Sequence, residues 1–343
     1  MTPPLLSILS GGLLALTIAT TAALQAESRL TKIQRRGHLT CGVDPVVAGF
    51  AEVDKDGHYR GLDVDVCRAV AAAIFGSSDK IAFVKVQSVT DFLGNADIDI
   101  VSRRLTWELR REQPLGLLFG PITFYDGQGF LVSKRLGVRS ARQLAGQDIC
   151  VAGGTFFELN LGAFFETNRL ALEKTVLESE YAFDEIADRL TKGTCRVYTA
   201  DVSQLGAIRS RLSRPADFDI LREHISREPL APLVRADDPQ FFTIVRWTIV
   251  ALVNAEELGV TAANVDAMLK STNADIQRLL GVLPGNGKAL GLSESWARDA
   301  IKALGNYGEM FDRNVGRNSP IKLDRGLNNL STAGGLMYAP PLR

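Results

Sequence analysis

Histidine is scarce in this chain of 343 residues: only His38, His58 and His224 are present. None lies near another or beside a cysteine pair, so the ligand spacing of a zinc site is missing. The same scarcity leaves any serine or cysteine nucleophile without an obvious base. No metal and no cofactor is expected. An excess of charge is missing too. Lysine plus arginine number 39 and aspartate plus glutamate number 39, which argues against the basic footprint of a nucleic-acid binder. Beyond the N-terminus, long apolar runs are also lacking. Gln240 to Glu257 is almost continuously apolar, but it contains Arg246 and is too short to span a membrane. It reads as a buried core helix.

What is present starts at the N-terminus. Leu5 to Ala23 are apolar or small, no charged side chain precedes Glu27, and Ala26 closes the run at a cleavage point. Residues 1–26 are therefore expected to be a signal peptide. Two details depart from the usual pattern: no Lys or Arg opens the segment, and Leu24 stands where a small residue is customary. A permanent anchor is the alternative, and Gly11, Gly12 and the interspersed threonines weaken it. The four cysteines, Cys41, Cys67, Cys150 and Cys195, fit an oxidising compartment. Four cysteines allow three pairings. The chain is long enough for two lobes. Sequential pairing, Cys41 with Cys67 and Cys150 with Cys195, is expected because each bridge then stays within one lobe.

Strand and helix patterns alternate, which predicts an α/β layer architecture. Leu30 to Arg36 reads as a helix stopped by Gly37, and Leu39 to Val43 as a strand. A helix is expected from Gly61 to Phe75, capped by Asp63 or Asp65 and ended by Gly76. Strands follow at Ile81 to Val86 and Ile98 to Val101. Gly127 to Val132 reads as a strand crossing between lobes, and Lys134 to Gln147 as a polar helix. Ile149 to Thr155 leads into a helix near Glu158 to Asn168, and its glycines would leave backbone N–H groups free for an anion. Ala231 to Arg235 is expected to return to the first lobe. The tail from Asn306 to Arg343 reads as an ordered extension without a strong period.

Two short runs carry the chemistry. The first, Ser102 to Arg111, ends in an arginine and contains Thr106; the second, Cys195 to Ser203, contains Asp201. A guanidinium offers a carboxylate two parallel charge-assisted bonds, and a threonine hydroxyl adds a third. An aspartate does the same for an ammonium group. Arg111 and Asp201 together would grip a zwitterion, which specifies a ligand rather than a reaction. The alternative is two unrelated surface ion-pair residues.

Several runs resemble a known family. They are Gly61 to Ala71, Tyr125 to Phe130, Cys195 to Thr199, Asn254 to Thr261 and Gly305 to Glu309. They resemble the periplasmic substrate-binding proteins of general L-amino-acid ABC transporters, solute-binding protein family 3, from about Leu30 to Arg343. The resemblance implies a type II periplasmic binding protein fold: two α/β lobes, two crossover strands and a C-terminal extension. Lobe 1 would be discontinuous, residues 27–126 plus 228–343, with lobe 2 at 127–227. Arg111 and Thr106 match the residues that hold the ligand α-carboxylate. Gly154 and Thr155 match a second-lobe loop that adds contacts to it, Asp201 the acid that holds the α-ammonium, and Phe50 an aromatic packed on the ligand side chain.

The resemblance further implies a monomeric, non-enzymatic protein of the periplasm. It would take a free L-amino acid and deliver it to an inner-membrane ABC permease, with no nucleic-acid partner. Near the cleft the pattern changes. The family's Ser-Arg-Asn-Thr-Thr-Trp-Thr becomes Ser102-Arg103-Arg104-Leu105-Thr106-Trp107-Glu108, and Phe156 and Phe157 replace threonines. Thr90 to Asp97 is also shorter than the usual helix and turn. Two other readings use the same scaffold: a sensor or decoy whose pocket has drifted, and a periplasmic dehydratase. For the dehydratase Glu108 is the one new acid or base, and a structural pairing with Arg104 or Arg110 is its expected role.

Overall fold

The computed structural model describes residues 27–179 and 182–343. The expected signal peptide lies outside the described residues. Two five-stranded sheets organise the rest. In the first, the strands lie in the order Ile81–Lys85, Leu39–Val43, Ile100–Val101, Leu233–Arg235 and Leu117–Phe119. The first three are mutually parallel; Leu233–Arg235 runs antiparallel to them, and Leu117–Phe119 pairs antiparallel with Leu233–Arg235. In the second the order is Glu173–Leu177, Asp148–Ala152, Val197–Asp201, Gln128–Ser133 and Phe218–Ile220. Again three strands are mutually parallel; Gln128–Ser133 runs antiparallel to them, and Phe218–Ile220 pairs antiparallel with Gln128–Ser133. Each sheet thus carries strands that arrive from across the molecule, the arrangement expected for two lobes sharing a discontinuous chain.

A two-stranded ribbon, Phe124–Asp126 against Glu228–Leu230, connects them. The outgoing chain passes from Asp126 through Gly127 into the strand Gln128–Ser133. Gly127 is required there, because a Cβ would meet the Ser226 carbonyl at 2.7 Å and the His224 ring at 3.0 Å. The returning chain leaves the ribbon at Leu230 and enters the first sheet at Leu233. The C-terminal extension braces this crossing. Asn328 donates to the Tyr125 carbonyl (3.2 Å) and accepts from its N–H (2.7 Å). The Tyr307 hydroxyl reaches the Thr123 carbonyl at 2.9 Å. Farther along, Ile321 and Leu323 pack at Gly206 of the helix Val202–Arg211, and Arg209 donates to the carbonyls of Ile321 and Lys322. The extension therefore touches elements of both lobes.

The helix Pro239–Glu257 is the buried core helix expected; Ile244, Val245, Thr248 and Ala251 are fully or almost fully covered. The two disulfides join Cys41 to Cys67 and Cys150 to Cys195, each within one sheet-and-helix layer. Two local expectations fail. Neither Asp63 nor Asp65 caps the helix Leu62–Phe75, whose N-cap is Gly61. Asp63 instead accepts from the Ser102 hydroxyl at 2.7 Å, and Asp65 is taken by Arg313 and Asn314 of the extension. Lys134 to Gln147 is not one helix but two short turns, Lys134–Leu136 and Ala141–Leu144. Gly137 ends the first in a left-handed conformation (φ 67°), and Ser140 caps the second.

Candidate functional site

The cleft between the lobes is built at the carboxyl ends of the parallel strands, where open α/β sheets leave room for ligands. It has a volume of about 690 Å³ and is lined by Arg104, Thr106, Arg111, Gly154, Thr155 and Asp201, among others. On the first lobe, the chain leaves the strand Ile100–Val101 and runs along the cleft wall. Backbone bonds from Ala231 to the Leu105 carbonyl (3.1 Å) and from Trp107 to the Pro229 carbonyl (2.8 Å) pin it to the returning crossover. Arg111 sits on the short helix Leu109–Glu112. Its Nη1 donates to the Thr106 carbonyl at 3.0 Å, and its Nε meets Glu108 at 2.9 Å.

On the second lobe, Asp201 ends the strand Val197–Asp201 and occupies the N-cap position of the next helix without a side-chain capping bond. Gly154 and Thr155 form the turn into the helix Phe156–Thr167. Gly154 has φ 68°, a left-handed conformation natural to glycine. Five of the six ligand residues expected from sequence therefore share one cleft. Arg111 and Thr106 come from one lobe, Gly154, Thr155 and Asp201 from the other.

Phe50 does not join them. It is 1% exposed, and its ring meets Phe124 edge-on with centroids 5.0 Å apart. Its carbonyl accepts the Asp63 N–H at 2.9 Å and lies where a Cβ on Gly61 would overlap it. Phe50 is thus a core residue supporting a helix start, and it is absent from the cleft lining. Glu108 differs as well: it pairs with Arg111 rather than with Arg104 or Arg110. The turn amides are not all free, since Glu158 Oε2 accepts the Gly154 N–H at 2.9 Å. The Thr155 hydroxyl donates inward to the Ala152 carbonyl at 2.7 Å.

Among the lining residues that sequence reasoning missed are Arg103, Gln204, Ser226 and Glu228. Glu228 accepts from the Thr106 hydroxyl (2.8 Å) and from the Ser226 hydroxyl (2.9 Å), tying the first-lobe wall to the crossover. The lobe boundary at residue 228 was expected, but the part its carboxylate plays depends on Thr106, which is distant in sequence. Arg103 donates to Asp44 at 3.0 Å. Arg104, also in the cleft lining, has φ 56°, an unusual backbone conformation for a non-glycine residue.

Two wholly buried carboxyls stand behind the wall. Burial raises Asp63 from 3.8 to about 6, with the Ser102 hydrogen bond and then the Arg104 charge opposing it. Burial likewise raises Asp126 to about 6, opposed by hydrogen bonds from Ser203 and Gly127. Among the described residues, one group of side chains is close enough to share a cation: Asp54, Asp56 and His58. It lies on an exposed turn, and Asp54 Oδ1 is spent on the backbone N–H groups of Asp56 and His58. No described helix is long and apolar enough to cross a membrane.

The sequence profile of the bacterial extracellular solute-binding proteins, family 3, matches residues 39–277. The chain is 45% identical over 340 residues to the general L-amino acid-binding periplasmic protein AapJ of Rhizobium johnstonii, covering 98% of this chain and 99% of that one. It is 44% identical to the glutamate/glutamine/aspartate/asparagine-binding protein BztA of Rhodobacter capsulatus, covering 95% and 96%. A solved structure, the ABC transporter periplasmic binding protein from Brucella ovis with glutathione bound, superposes with a TM-score of 0.82. It is 42% identical and covers 92% of this chain and 100% of that one. The arrangement of lobes is thus the type II periplasmic binding protein fold.

Proposed function

The chain belongs to family 3 of the bacterial extracellular solute-binding proteins, and from that premise we propose that it captures L-amino acids between its lobes. It then presents them to an ABC permease. The observation that carries this reading is the single cleft shared by Arg111, Thr106, Gly154, Thr155 and Asp201. Arg111 takes the ligand α-carboxylate, with Thr106 and the second-lobe turn beside it, and Asp201 takes the α-ammonium. Lobe 1 comprises residues 27–126 plus 228–343 and lobe 2 residues 127–227, so closure about the ribbon brings the two charges together on the ligand. Residues 1–26 direct export and are removed, and the mature protein works as a monomer in the periplasm. No reaction is assigned: Glu108, the one candidate acid or base, is committed to Arg111.

The relatives AapJ and BztA support the amino-acid reading by what they bind. The Brucella ovis protein adds glutathione, which carries an amino-acid end of the same kind, and a cleft of about 690 Å³ leaves space beyond a single amino acid. The test is a thermal-shift panel of the common amino acids plus glutathione on the mature chain, followed by small-angle scattering with the best ligand. A raised melting temperature with at least one amino acid, and compaction on saturation, are expected. No shift with any of the twenty would replace transport with the decoy reading.

A further inference from the structure

The C-terminal extension is fastened to lobe 1 at both ends and meets lobe 2 through its middle. At one end Arg313 and Asn314 hold Asp65, and the Leu323 N–H returns to the Val315 carbonyl at 2.8 Å. At the other, Arg325 grips both oxygens of Glu256 at 3.0 and 3.2 Å, and Asn328 is bonded to Tyr125 of the ribbon. Between these anchors, residues 319–324 reach the helix Val202–Arg211 of lobe 2. Ile321 is 2% exposed and wedged between two glycines, one on each lobe. A Cβ on Gly49 would meet its Cγ1 at 2.9 Å, and one on Gly206 its Cγ2 at 2.8 Å; Leu323 lies against Gly206 as well. Three residues along the helix, Arg209 Nη2 donates to the carbonyls of Ile321 (2.8 Å) and Lys322 (3.0 Å). Beside these contacts is a cavity of about 570 Å³, lined by Leu221, His224, Leu323 and Asn328 among others. The extension and lobe 2 therefore meet at a few side chains and do not merge into one core.

The same helix faces the ligand cleft on its other side. Gln204 lines the cleft, and at 3.6 residues per turn Gly206 points about 200° away from it, toward the extension. Movement of this helix toward a ligand is thus movement away from Ile321, Leu323 and the two carbonyls. In this structure the latter contacts are made while the cleft stands open. The bonds of Arg103, Thr106 and Arg111 stay on lobe 1 and the ribbon, and those of Gly154, Thr155 and Glu158 stay on lobe 2. We propose that residues 319–324 are a latch that holds lobe 2 in the open orientation and lets go when the lobes close. The proposal rests on the clamp reading above. A ligand can shift the lobes only by its differential affinity for the closed state, and its apparent affinity falls with the fraction of chains able to close. The latch sets that fraction from outside the cleft, without touching the ligand.

Two variants weaken the latch by different means. Arg209→Met removes both hydrogen bonds and keeps a long side chain, whereas Gly206→Ala drives Ile321 and Leu323 off the helix. Spin labels on exposed residues, one per lobe, read the closed fraction without ligand by electron–electron distance measurement. Calorimetry reads affinity for the amino acid that raises the parent's melting temperature most. Both variants are expected to show a larger closed fraction and to bind about five- to tenfold more tightly than the parent. Loss of a merely structural contact would lower the melting temperature without tightening binding. A closed fraction that does not rise, or an affinity unchanged or weaker, would overturn the latch. Thermal melts establish that each variant is folded, and if one is not, the other decides. If the parent binds none of the twenty amino acids, the transport reading fails, and the distance measurement decides the latch alone.

Discussion

Removing the Arg111 guanidinium separates binding from folding. In the folded chain its side chain is 31% exposed and engages two groups, the Glu108 carboxylate at 2.9 Å and the Thr106 carbonyl at 3.0 Å. Glu108 is itself 44% exposed and hydrates when its partner is lost. Arg111→Ala therefore costs stability no more than about 1 kcal/mol, the scale of an exposed ion pair. Binding responds differently. With the lobes closed, the ligand carboxylate would be buried without its cation, which typically costs on the order of 2–5 kcal/mol, or roughly thirtyfold to several thousandfold in affinity. The companion change has the opposite sign. Glu108 places a negative charge beside the guanidinium proposed to hold the ligand carboxylate, so Glu108→Gln is expected to tighten binding, by about fivefold for a screened effect of about 1 kcal/mol. Calorimetry with the preferred amino acid, paired with thermal melts, reads both. An Arg111→Ala variant that binds like the parent refutes the carboxylate anchor, and a Glu108→Gln variant that binds more weakly refutes the opposing role of that carboxylate.

Two further outcomes follow from the frame of the protein. The disulfides close separations of 26 and 45 residues, worth about 3.5 and 4 kcal/mol in the chain-entropy account; reduction should lower the melting temperature yet leave ligand-induced compaction detectable, and an unchanged melt would contradict it. Asp63 is raised by burial from 3.8 to about 6, so between those values the folded chain holds more protons than the unfolded one. Its contribution is greatest below pH 3.8 and is lost as pH rises through about 6. Asp63→Asn should therefore gain on the parent between pH 4 and 7 by up to about 3 kcal/mol, and urea curves that stay parallel across that range would refute this.

Much of the frame was legible because it rests on local signals. Gly37 and Gly76 stop helices in left-handed conformations, as their positions suggested. The strand Leu39–Val43 and the buried helix Pro239–Glu257 follow from apolar runs of distinct length. What failed depends on partners distant in sequence. Asp63 and Asp65 look like caps until Ser102, Arg313 and Asn314 arrive from elsewhere in the chain. Phe50 looks like a ligand platform until Phe124 covers it. In the site, Arg111, Thr106 and Asp201 could be named because their chemistry suits a zwitterion, and the resemblance gave Gly154 and Thr155. Gln204 and Glu228 could not, because a glutamine in a helix and a glutamate before a proline acquire meaning only when the ribbon brings them to the cleft.

The central claim is that Arg111 and Asp201 hold opposite ends of one ligand. Its most direct test is calorimetric titration of the mature chain with the amino acid that raises its melting temperature most and with two truncated analogues of it, one lacking the α-ammonium and one lacking the α-carboxylate. The account predicts saturable one-to-one binding of the amino acid and a loss of at least about thirtyfold for each analogue. Analogues that bind as tightly as the amino acid would contradict the claim.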